Sequence, residues 1–183
     1  MKFILSLFSF VLMTACSTAF VPANADGKGA DIIDYPRDKH GEVMPFVSDK
    51  NASKAVDEAI IKAAAEDKKA LIVMGANWCH DSRALATHFE TSEFKNLLGE
   101  NYVLEYIDVG QKNKNQDIAR RFGLDGTKGT PTVLIIDGTG QILNLETAPT
   151  WRNAASRKDV DIYDYFQSYA HDGNSGADDI VED

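Results

Sequence analysis

The sequence contains a short apolar run that stops at small residues and gives way to helical spacing. Residues 71–74 are Leu-Ile-Val-Met, a continuous apolar run typical of a strand buried on both faces. Gly-Ala-Asn at 75–77 ends the run, and the next large apolar side chains are spaced four residues apart. The pattern predicts a buried strand followed directly by a helix that begins near Cys79 or His80.

Further periodicity predicts alternating helices and strands along the rest of the chain. The expected helix caps are Asn51 or Ser53 before the first helix and Ser92 before a later one, which Gly99 closes. The turn at 137–140 is expected to join two antiparallel strands into a hairpin. Helical spacing covers 55–64, 94–98, 118–122 and 160–166, and strand patterns cover 102–109, 132–136 and 141–145.

Length and composition indicate one ordinary globular domain. The chain has 183 residues, of which 44% are hydrophobic and 26% are charged, enough for a single core of respectable size. Its net charge of −9 argues against nucleic-acid binding, because contacts with phosphates need clustered Lys and Arg. We therefore expect no nucleic-acid partner.

Residues 1–25 have the pattern of an export signal. A basic Lys2 precedes an apolar core at 3–13, and no second apolar span of membrane-crossing length follows. The mature protein is therefore expected outside the cytoplasm, in the periplasm. The expected organisation beyond the signal is an N-terminal linker at 26–50, a folded domain at 51–170 and a disordered acidic tail at 171–183.

Two cleavage sites remain open. Residues 12–16, Leu-Met-Thr-Ala-Cys, resemble a bacterial lipobox, in which Cys16 would be lipidated and would anchor the mature chain to a membrane. Residues 23–25, Ala-Asn-Ala, are an equally good site for ordinary signal peptidase, which would release a soluble protein beginning at Asp26. In either case Cys79 is the only free thiol, so no internal disulfide can form. Its place before a helix favours a reactive role for that thiol.

Two motifs give the chain a family resemblance. Trp78-Cys79-x-x-Ser82 follows a buried strand, and Gly129-Thr130-Pro131-Thr132 opens a second apolar strand about fifty residues later. In this order and at this spacing they resemble the active-site segment and the cis-proline loop of the thioredoxin superfamily. The resemblance covers about 53–170 and implies an α/β, thioredoxin-like fold with a central mixed β-sheet flanked by helices. It also implies that Pro131 is cis and that the backbone of Thr130 pairs with the substrate chain.

The resemblance implies chemistry at Cys79 and also limits it. In the family the first cysteine attacks a disulfide as a thiolate and the second resolves the mixed disulfide, but here the second position is Ser82. Serine can donate a hydrogen bond to the Cys79 thiolate, but it cannot form a disulfide. A self-contained dithiol reductase is therefore excluded, whereas attack, a long-lived mixed disulfide and release by an outside thiol remain. The family also has a buried Asp paired with a Lys, and by the resemblance these positions are Val73 and Leu104 here. Both charges are absent together, so neither is buried without its partner.

Three neighbours of the thiol have further expected roles. His80 is either an electrostatic partner and proton shuttle for the thiol or an exposed first-turn residue without a role. Asp81 is expected to be an ordinary first-turn acid, which is favourable with the helix dipole. Trp78 is expected to shield one side of the substrate groove, with a core position as the alternative.

No cofactor and no metal are expected. His80 and His88 are eight residues apart, about two turns on a helix and too far to chelate together, and nothing else supplies a ligand cluster. Trp151, Arg152 and the basic pair at 157–158 could line a partner surface, but a solvated loop is the preferred interpretation.

The leading functional interpretation is an exported monothiol protein of thiol–disulfide exchange, acting as an isomerase or as a reductase that depends on an external thiol. Cys79 would be the nucleophile, Ser82 and His80 would tune it, and Thr130 and Pro131 would position the substrate. Its partners would be cysteine-containing client proteins or a small thiol. The first alternative is a non-catalytic binding module that captures clients. The second is a structural domain with a vestigial site, which requires a buried and unreactive Cys79.

Overall fold

Three strands form one sheet in the computed structural model, which describes residues 34–48 and 50–170. The central strand β1 (Lys69–Gly75) is parallel to β2 (Tyr102–Asp108) and antiparallel to β3 (Thr132–Ile136). Every residue of β1 after Lys69 is buried, as is every residue of β3. The expected α/β architecture with a central mixed sheet is therefore confirmed.

Helices cover both faces of this sheet. Two short 3₁₀ helices, Ala148–Trp151 and Ala154–Ser156, lie between the last strand and the last α-helix. The α-helices are α1 (Ala52–Ala65), α2 (His80–Phe89), α3 (Ser92–Asn101), α4 (Gln116–Arg121) and α5 (Asp159–Ala170).

Alternate residues of β1 contribute to two separate hydrophobic clusters. Leu71 and Val73 belong to a cluster that also contains side chains of α2, α3 and α5. Ala70, Ile72 and Met74 belong to a cluster with α1 and α4. Burial of apolar surface on both faces therefore holds the helices to the sheet and fixes the direction in which β1 delivers the chain to α2.

The predicted helix boundaries are partly confirmed. Asn51 caps α1, because its side chain accepts a hydrogen bond from the backbone N–H of Lys54. The prediction of Ser92 as the cap of α3 was wrong, since Thr91 has the extended backbone of a cap and Ser92 is already helical. Gly99 does not close α3 either. The helix continues to Asn101, and the next N–H still bonds to the carbonyl of Leu98.

The predicted hairpin after β3 is only half present. The turn forms as expected, with the Asp137 N–H 2.9 Å from the carbonyl oxygen of Gln141. Residues 141–145, however, do not form a strand and make only a single bridge, between Ile136 and Ile142. The reason is that the side chain of Asn144 replaces backbone pairing: it accepts from the Ile135 N–H at 2.9 Å and donates to the Val133 carbonyl at 2.9 Å.

The prediction of a linker at 26–50 was wrong for the part that the structure describes. Residues 34–48 pack against the sheet and α2, and we call them the N-terminal strap. A bridge between Arg37 and Val43 folds the strap back on itself. Val43 and Phe46 are buried in the same cluster as α2, so they bury apolar surface as core residues do.

The segment before α5 is also more ordered than a solvated loop. Trp151 is fully buried, with its ring 4.7 Å from Tyr165 and 5.1 Å from Phe166 between centroids. Arg157 lies 4.1 Å from the Trp151 ring and covers it. The preferred interpretation of a solvated loop was therefore wrong for this tryptophan, which belongs to the core.

Several sequence predictions lie outside the described residues. These are the export signal at 1–25 with Cys16, the first part of the linker, and the acidic tail at 171–183. Among the residues that are described, no helix is long and apolar enough to span a bilayer.

Candidate active site around Cys79

Cys79 lies where the chain leaves β1 and enters α2. It is the N-cap residue of α2, with extended backbone (φ −85°, ψ 120°), and its carbonyl accepts the N–H of Arg83 at 3.1 Å. The predicted helix start near Cys79 or His80 is thus confirmed. Only 8% of the residue is exposed. Because the first N–H groups of a helix have no partners within it, the sulfur lies at the positive end of the α2 dipole.

The loop before β3 faces the sulfur from the other side. The Thr130–Pro131 peptide bond is cis, as the family resemblance implied. The Cys79 thiol donates to the carbonyl oxygen of Thr130, with the two atoms 3.3 Å apart. Thr132 donates from its hydroxyl to the Gly129 carbonyl at 2.9 Å and so closes this loop. The two sequence motifs therefore meet at one sulfur atom.

Trp78 lies at the surface beside the thiol rather than in the core. The residue is 48% exposed, and its indole N–H donates to the Gly110 carbonyl at 2.8 Å. This bond fixes the ring against the loop that follows β2. An exposed, fixed aromatic side chain next to the reactive residue has the position expected of a groove wall.

Ser82 does not make the contact predicted for it. Its side chain is fully buried, and its Oγ has no hydrogen-bond partner within the described structure. The predicted hydrogen bond to the Cys79 sulfur was therefore wrong, because the thiol bonds to Thr130 instead. Gly75 packs closely against both Ser82 and Phe46: an added Cβ atom on Gly75 would lie 2.7 Å from Ser82 Oγ and 2.6 Å from Phe46 Cζ. Only glycine is compatible with this packing.

His80 is paired with the N-terminal strap rather than with the thiol. Its Nε2 lies 3.0 Å from a carboxylate oxygen of Glu42, and the imidazole is exposed. No hydrogen bond joins His80 to Cys79 in this part of the chain. The tuning and proton-shuttle role predicted for His80 therefore has no direct contact with the sulfur to support it.

A charged cluster on α2 and the strap extends this pairing. Arg83 Nε lies 2.9 Å from Glu42 and 3.2 Å from Asp38, and Arg83 also donates to the Asn77 carbonyl at 2.9 Å. Desolvation acts to raise the pKa of Asp38, but hydrogen bonds from the backbone N–H groups of Glu42 and His40, with the charge of Arg83, hold it below its ordinary value. The cluster fastens the strap to the first turn of α2.

Asn77 and Asp81 tie the ends of the active-site turn to the surrounding structure. Asn77 exchanges two hydrogen bonds with the backbone of Phe46, at 3.1 Å and 2.9 Å. Asp81 accepts the backbone N–H of Ala155 at 3.0 Å, so it is a structural contact as well as a first-turn acid. Sequence reasoning missed Asn77 and Glu42 because it took the strap for a linker. The short apolar run at 43–47, Val-Met-Pro-Phe-Val, was the signal that could have found it.

The positions of the lost acid–base pair are apolar, as the sequence indicated. Val73 is fully buried beneath the active-site turn, and Leu104 is half-buried. Among the described residues, no cluster of His, Cys, Asp or Glu side chains could hold a metal ion.

Comparisons with known proteins agree with this arrangement. A family model described as thioredoxin-like matches residues 51–138, which include β1, α2 and β3. The disulphide isomerase from Xylella fastidiosa Temecula1 is similar in structure, with a TM-score of 0.62 and 26% identity over 75% of this chain and 98% of that one. No curated protein matches the sequence at a significant level.

Two further solved structures are more distantly similar. A thioredoxin from Thermus thermophilus is 18% identical over 64% of this chain and 85% of that one, with a TM-score of 0.48. The reduced C-terminal domain of DsbD from Neisseria meningitidis is 19% identical over 63% of this chain and 95% of that one, with a TM-score of 0.46.

Proposed function

Because the chain belongs to the thioredoxin superfamily, we propose that it carries out thiol–disulfide exchange with Cys79 as its single nucleophile. The observation that carries this proposal is the meeting of Cys79 Sγ and the Thr130 carbonyl, 3.3 Å apart, beside the cis bond to Pro131. A thiol at this point lies at a helix N-terminus, which favours thiolate, and next to the backbone that pairs with substrates in the family. Similarity to a disulphide isomerase supports the same chemistry.

The proposed reaction begins with attack of the Cys79 thiolate on one sulfur of a client disulfide. A mixed disulfide forms between Cys79 and the client, and the second client sulfur leaves as a thiolate. Ser82 cannot complete the reaction, because a hydroxyl does not displace a disulfide sulfur. The mixed disulfide therefore persists until another thiolate attacks it. A second thiolate of the client gives isomerisation, whereas a small thiol gives reduction.

Export to the periplasm is part of the proposal. The basic start and apolar core of residues 1–25 support it, and an oxidising compartment is where client disulfides occur. Lipidation at Cys16 and cleavage before Asp26 remain alternatives. The intact mass of the mature protein distinguishes them, because a lipidated chain that begins at Cys16 is heavier by ten residues and by its lipid.

The first test is to trap the mixed disulfide. The protein is incubated with a peptide that contains one disulfide, quenched with acid, and analysed by mass spectrometry without reductant. We expect an adduct on Cys79 that persists in the wild type and is absent in Cys79→Ser. In Ser82→Cys a second thiol is available, so we expect the adduct to be short-lived.

The same experiment separates the alternatives. If Cys79 forms no adduct and alkylates no faster than a free thiol at any pH, the exchange proposal is wrong. Client binding that survives in Cys79→Ser would then favour the non-catalytic binding module, which needs no reactive sulfur. Absence of both adduct and binding would favour a structural domain, in keeping with a thiol that is only 8% exposed.

A further inference from the structure

A pocket of about 450 Å³ opens beside the loop that faces Cys79. Its volume is in the range of small-molecule sites. One wall is the chain just before the cis bond, and the other is the segment between β3 and α5. The residues that line it are Lys128, Pro149, Thr150, Arg152 and Asn153.

The pocket is positively charged in a chain whose net charge is −9. Two of its lining residues, Lys128 and Arg152, are cations and none is acidic. Among the described residues, Arg152 makes no ion pair and no side-chain hydrogen bond. Lys128 lies 3.6 Å from Asp125, but their side chains are 70% and 90% exposed, so water screens this pair and leaves the lysine available.

The wall that carries Arg152 is held in place. Arg157 donates to the Thr150 carbonyl at 2.9 Å and to the Asn153 side chain at 3.0 Å. The same guanidinium covers the buried ring of Trp151. Arg157 thus holds the wall together, whereas Arg152 is exposed and has no charged partner among residues 34–48 and 50–170.

The pocket adjoins the loop whose Thr130 carbonyl contacts the reactive sulfur. Lys128 precedes Thr130 by two residues, a separation of at most about 8 Å between Cα atoms. The aliphatic part of Arg152 packs on Gly129, where an added Cβ atom would lie 3.2 Å from Arg152 Cδ. The Thr130 carbonyl contacts Cys79, and the same loop leads back through Gly129, which Arg152 approaches, to Lys128.

From this geometry we infer that the pocket binds the carboxylate of a low-molecular-mass thiol, the co-reactant that releases Cys79. The inference rests on the proposed function, in which no second cysteine resolves the mixed disulfide. Lys and Arg side chains are the groups that bind carboxylates, Arg in a bidentate fork. A carboxylate held there would bring its thiol to the Cys79–client bond.

The reaction balances with two molecules of this thiol. The first thiolate attacks the Cys79 sulfur, forms a disulfide with it and expels the client sulfur as a thiolate, which takes a proton from water. The second thiolate attacks the sulfur of the bound small thiol, forms the small-molecule disulfide and regenerates the Cys79 thiolate. The client gains two electrons, and the two small thiols lose one each.

The test uses two thiols that differ in one charge, N-acetylcysteinylglycine and its C-terminal amide. In a Cys16→Ser background, Cys79 is first converted to its neutral mixed disulfide with 2,2′-dithiodipyridine. Each thiol is then added, and release of pyridine-2-thione is followed by absorbance. Every rate is divided by the rate of the same thiol with 2,2′-dithiodipyridine alone, which removes differences in intrinsic reactivity.

We expect the acid to react about fivefold faster than the amide after this correction, as two nearby surface charges allow. Arg152→Gln and Lys128→Gln should each reduce the preference, their combination should abolish it, and Arg152→Lys should retain most of it. Arg121→Gln is the matched control, because Arg121 pairs with Asp57 and does not line the pocket. Added salt should weaken the preference.

The outcomes separate the two proposals. Equal corrected rates in the wild type, or a preference that survives the double substitution, would overturn the carboxylate pocket and leave the exchange function standing. Failure of Cys79 to react with 2,2′-dithiodipyridine would overturn the exchange function, and the pocket's proposed role with it.

Discussion

Two buried hydroxyl groups beside the reactive sulfur differ in what they bond to. Thr132 donates to the Gly129 carbonyl at 2.9 Å, whereas Ser82 Oγ has no partner in the described structure. Both residues are fully buried. A buried hydroxyl that makes no hydrogen bond has lost its water without replacement, so the two residues should contribute to stability with opposite sign.

Substitution of these hydroxyls gives a matched pair of predictions. Ser82→Ala removes an unsatisfied group and should raise the free energy of unfolding by about 1 kcal/mol, whereas Thr132→Val should lower it by about 1 to 2 kcal/mol. Urea denaturation measures both. Because no bond joins Ser82 to Cys79, Ser82→Ala should also leave the rate of Cys79 alkylation unchanged. A slower rate together with lower stability would mean that Ser82 bonds to the sulfur after all.

At the residue scale the sequence predicted which residues come together around Cys79, but not the hydrogen bonds that they make. Trp78, Cys79, Thr130 and Pro131 could be found because each belongs to a local motif whose geometry the backbone dictates. The partner of His80 could not be found, because Glu42 reaches it from a segment nearly forty residues away. Side-chain partners of this kind depend on tertiary packing, which local spacing does not encode.

At the scale of elements, the N-terminal strap is the part that links the core to the active-site turn. Phe46 lies against Tyr106 of β2, with ring centroids 5.4 Å apart, and its ring also packs on Gly75, where an added Cβ atom would lie 2.6 Å from Phe46 Cζ. Its backbone is bonded to Asn77, two residues before Cys79. The strap therefore contacts the active-site turn in two ways. Phe46 bonds to Asn77, and Glu42 pairs with His80 and Arg83 in the first turn of α2.

Truncation of Phe46 should show that the strap is part of the folded domain. Phe46→Ala leaves a cavity under the active-site turn and should lower the free energy of unfolding by about 3 kcal/mol or more. Val47→Ala is the control, because Val47 is 58% exposed and should change stability by less than about 0.5 kcal/mol. Equal and small effects of the two substitutions on urea denaturation would make the strap the linker that the sequence suggested.

The elements that sequence reasoning missed have a common physical cause. The apolar residues of the strap form one short run at 43–47 without a sustained period, yet Val43 and Phe46 from this run are buried in the core. The segment at 141–145 has the composition of a strand, but Asn144 replaces ladder hydrogen bonds with side-chain ones. In contrast, the other strands and the helices of the domain each have one dominant apolar period, so their existence and type were predicted correctly, although the ends of α3 were not.

At the scale of the whole molecule, the two faces of the sheet have different cores. The cluster with α1 and α4 is mostly aliphatic and alanine-rich, whereas the cluster with α2, α3 and α5 is rich in aromatic rings. Tyr102 and Tyr106, both on β2, place hydroxyl groups in the aromatic core. The Tyr102 hydroxyl donates to the Phe166 carbonyl, whereas the Tyr106 hydroxyl has no partner in the described structure.

These tyrosines should make the fold sensitive to alkali. Burial raises the pKa of Tyr106 well above its ordinary value, with Tyr35 and Glu90 adding repulsion, and burial likewise raises the pKa of Tyr102. A group whose pKa is raised by folding contributes stability that is complete below its unfolded pKa, about 10, and is lost as the pH rises above it. We therefore expect the free energy of unfolding to fall steeply above about pH 10.

Removing each hydroxyl separates the two contributions. Tyr106→Phe and Tyr102→Phe should both make the alkaline loss of stability less steep, because each deletes one buried ionisable group. At neutral pH they should differ: Tyr102→Phe should lower the free energy of unfolding by about 1 kcal/mol because it loses the hydrogen bond to the Phe166 carbonyl, whereas Tyr106→Phe removes an unsatisfied hydroxyl and should raise it by about 1 kcal/mol. Urea denaturation at pH 7 and above pH 10 measures both quantities. An alkaline slope that neither substitution changes would assign the loss to groups outside the aromatic core.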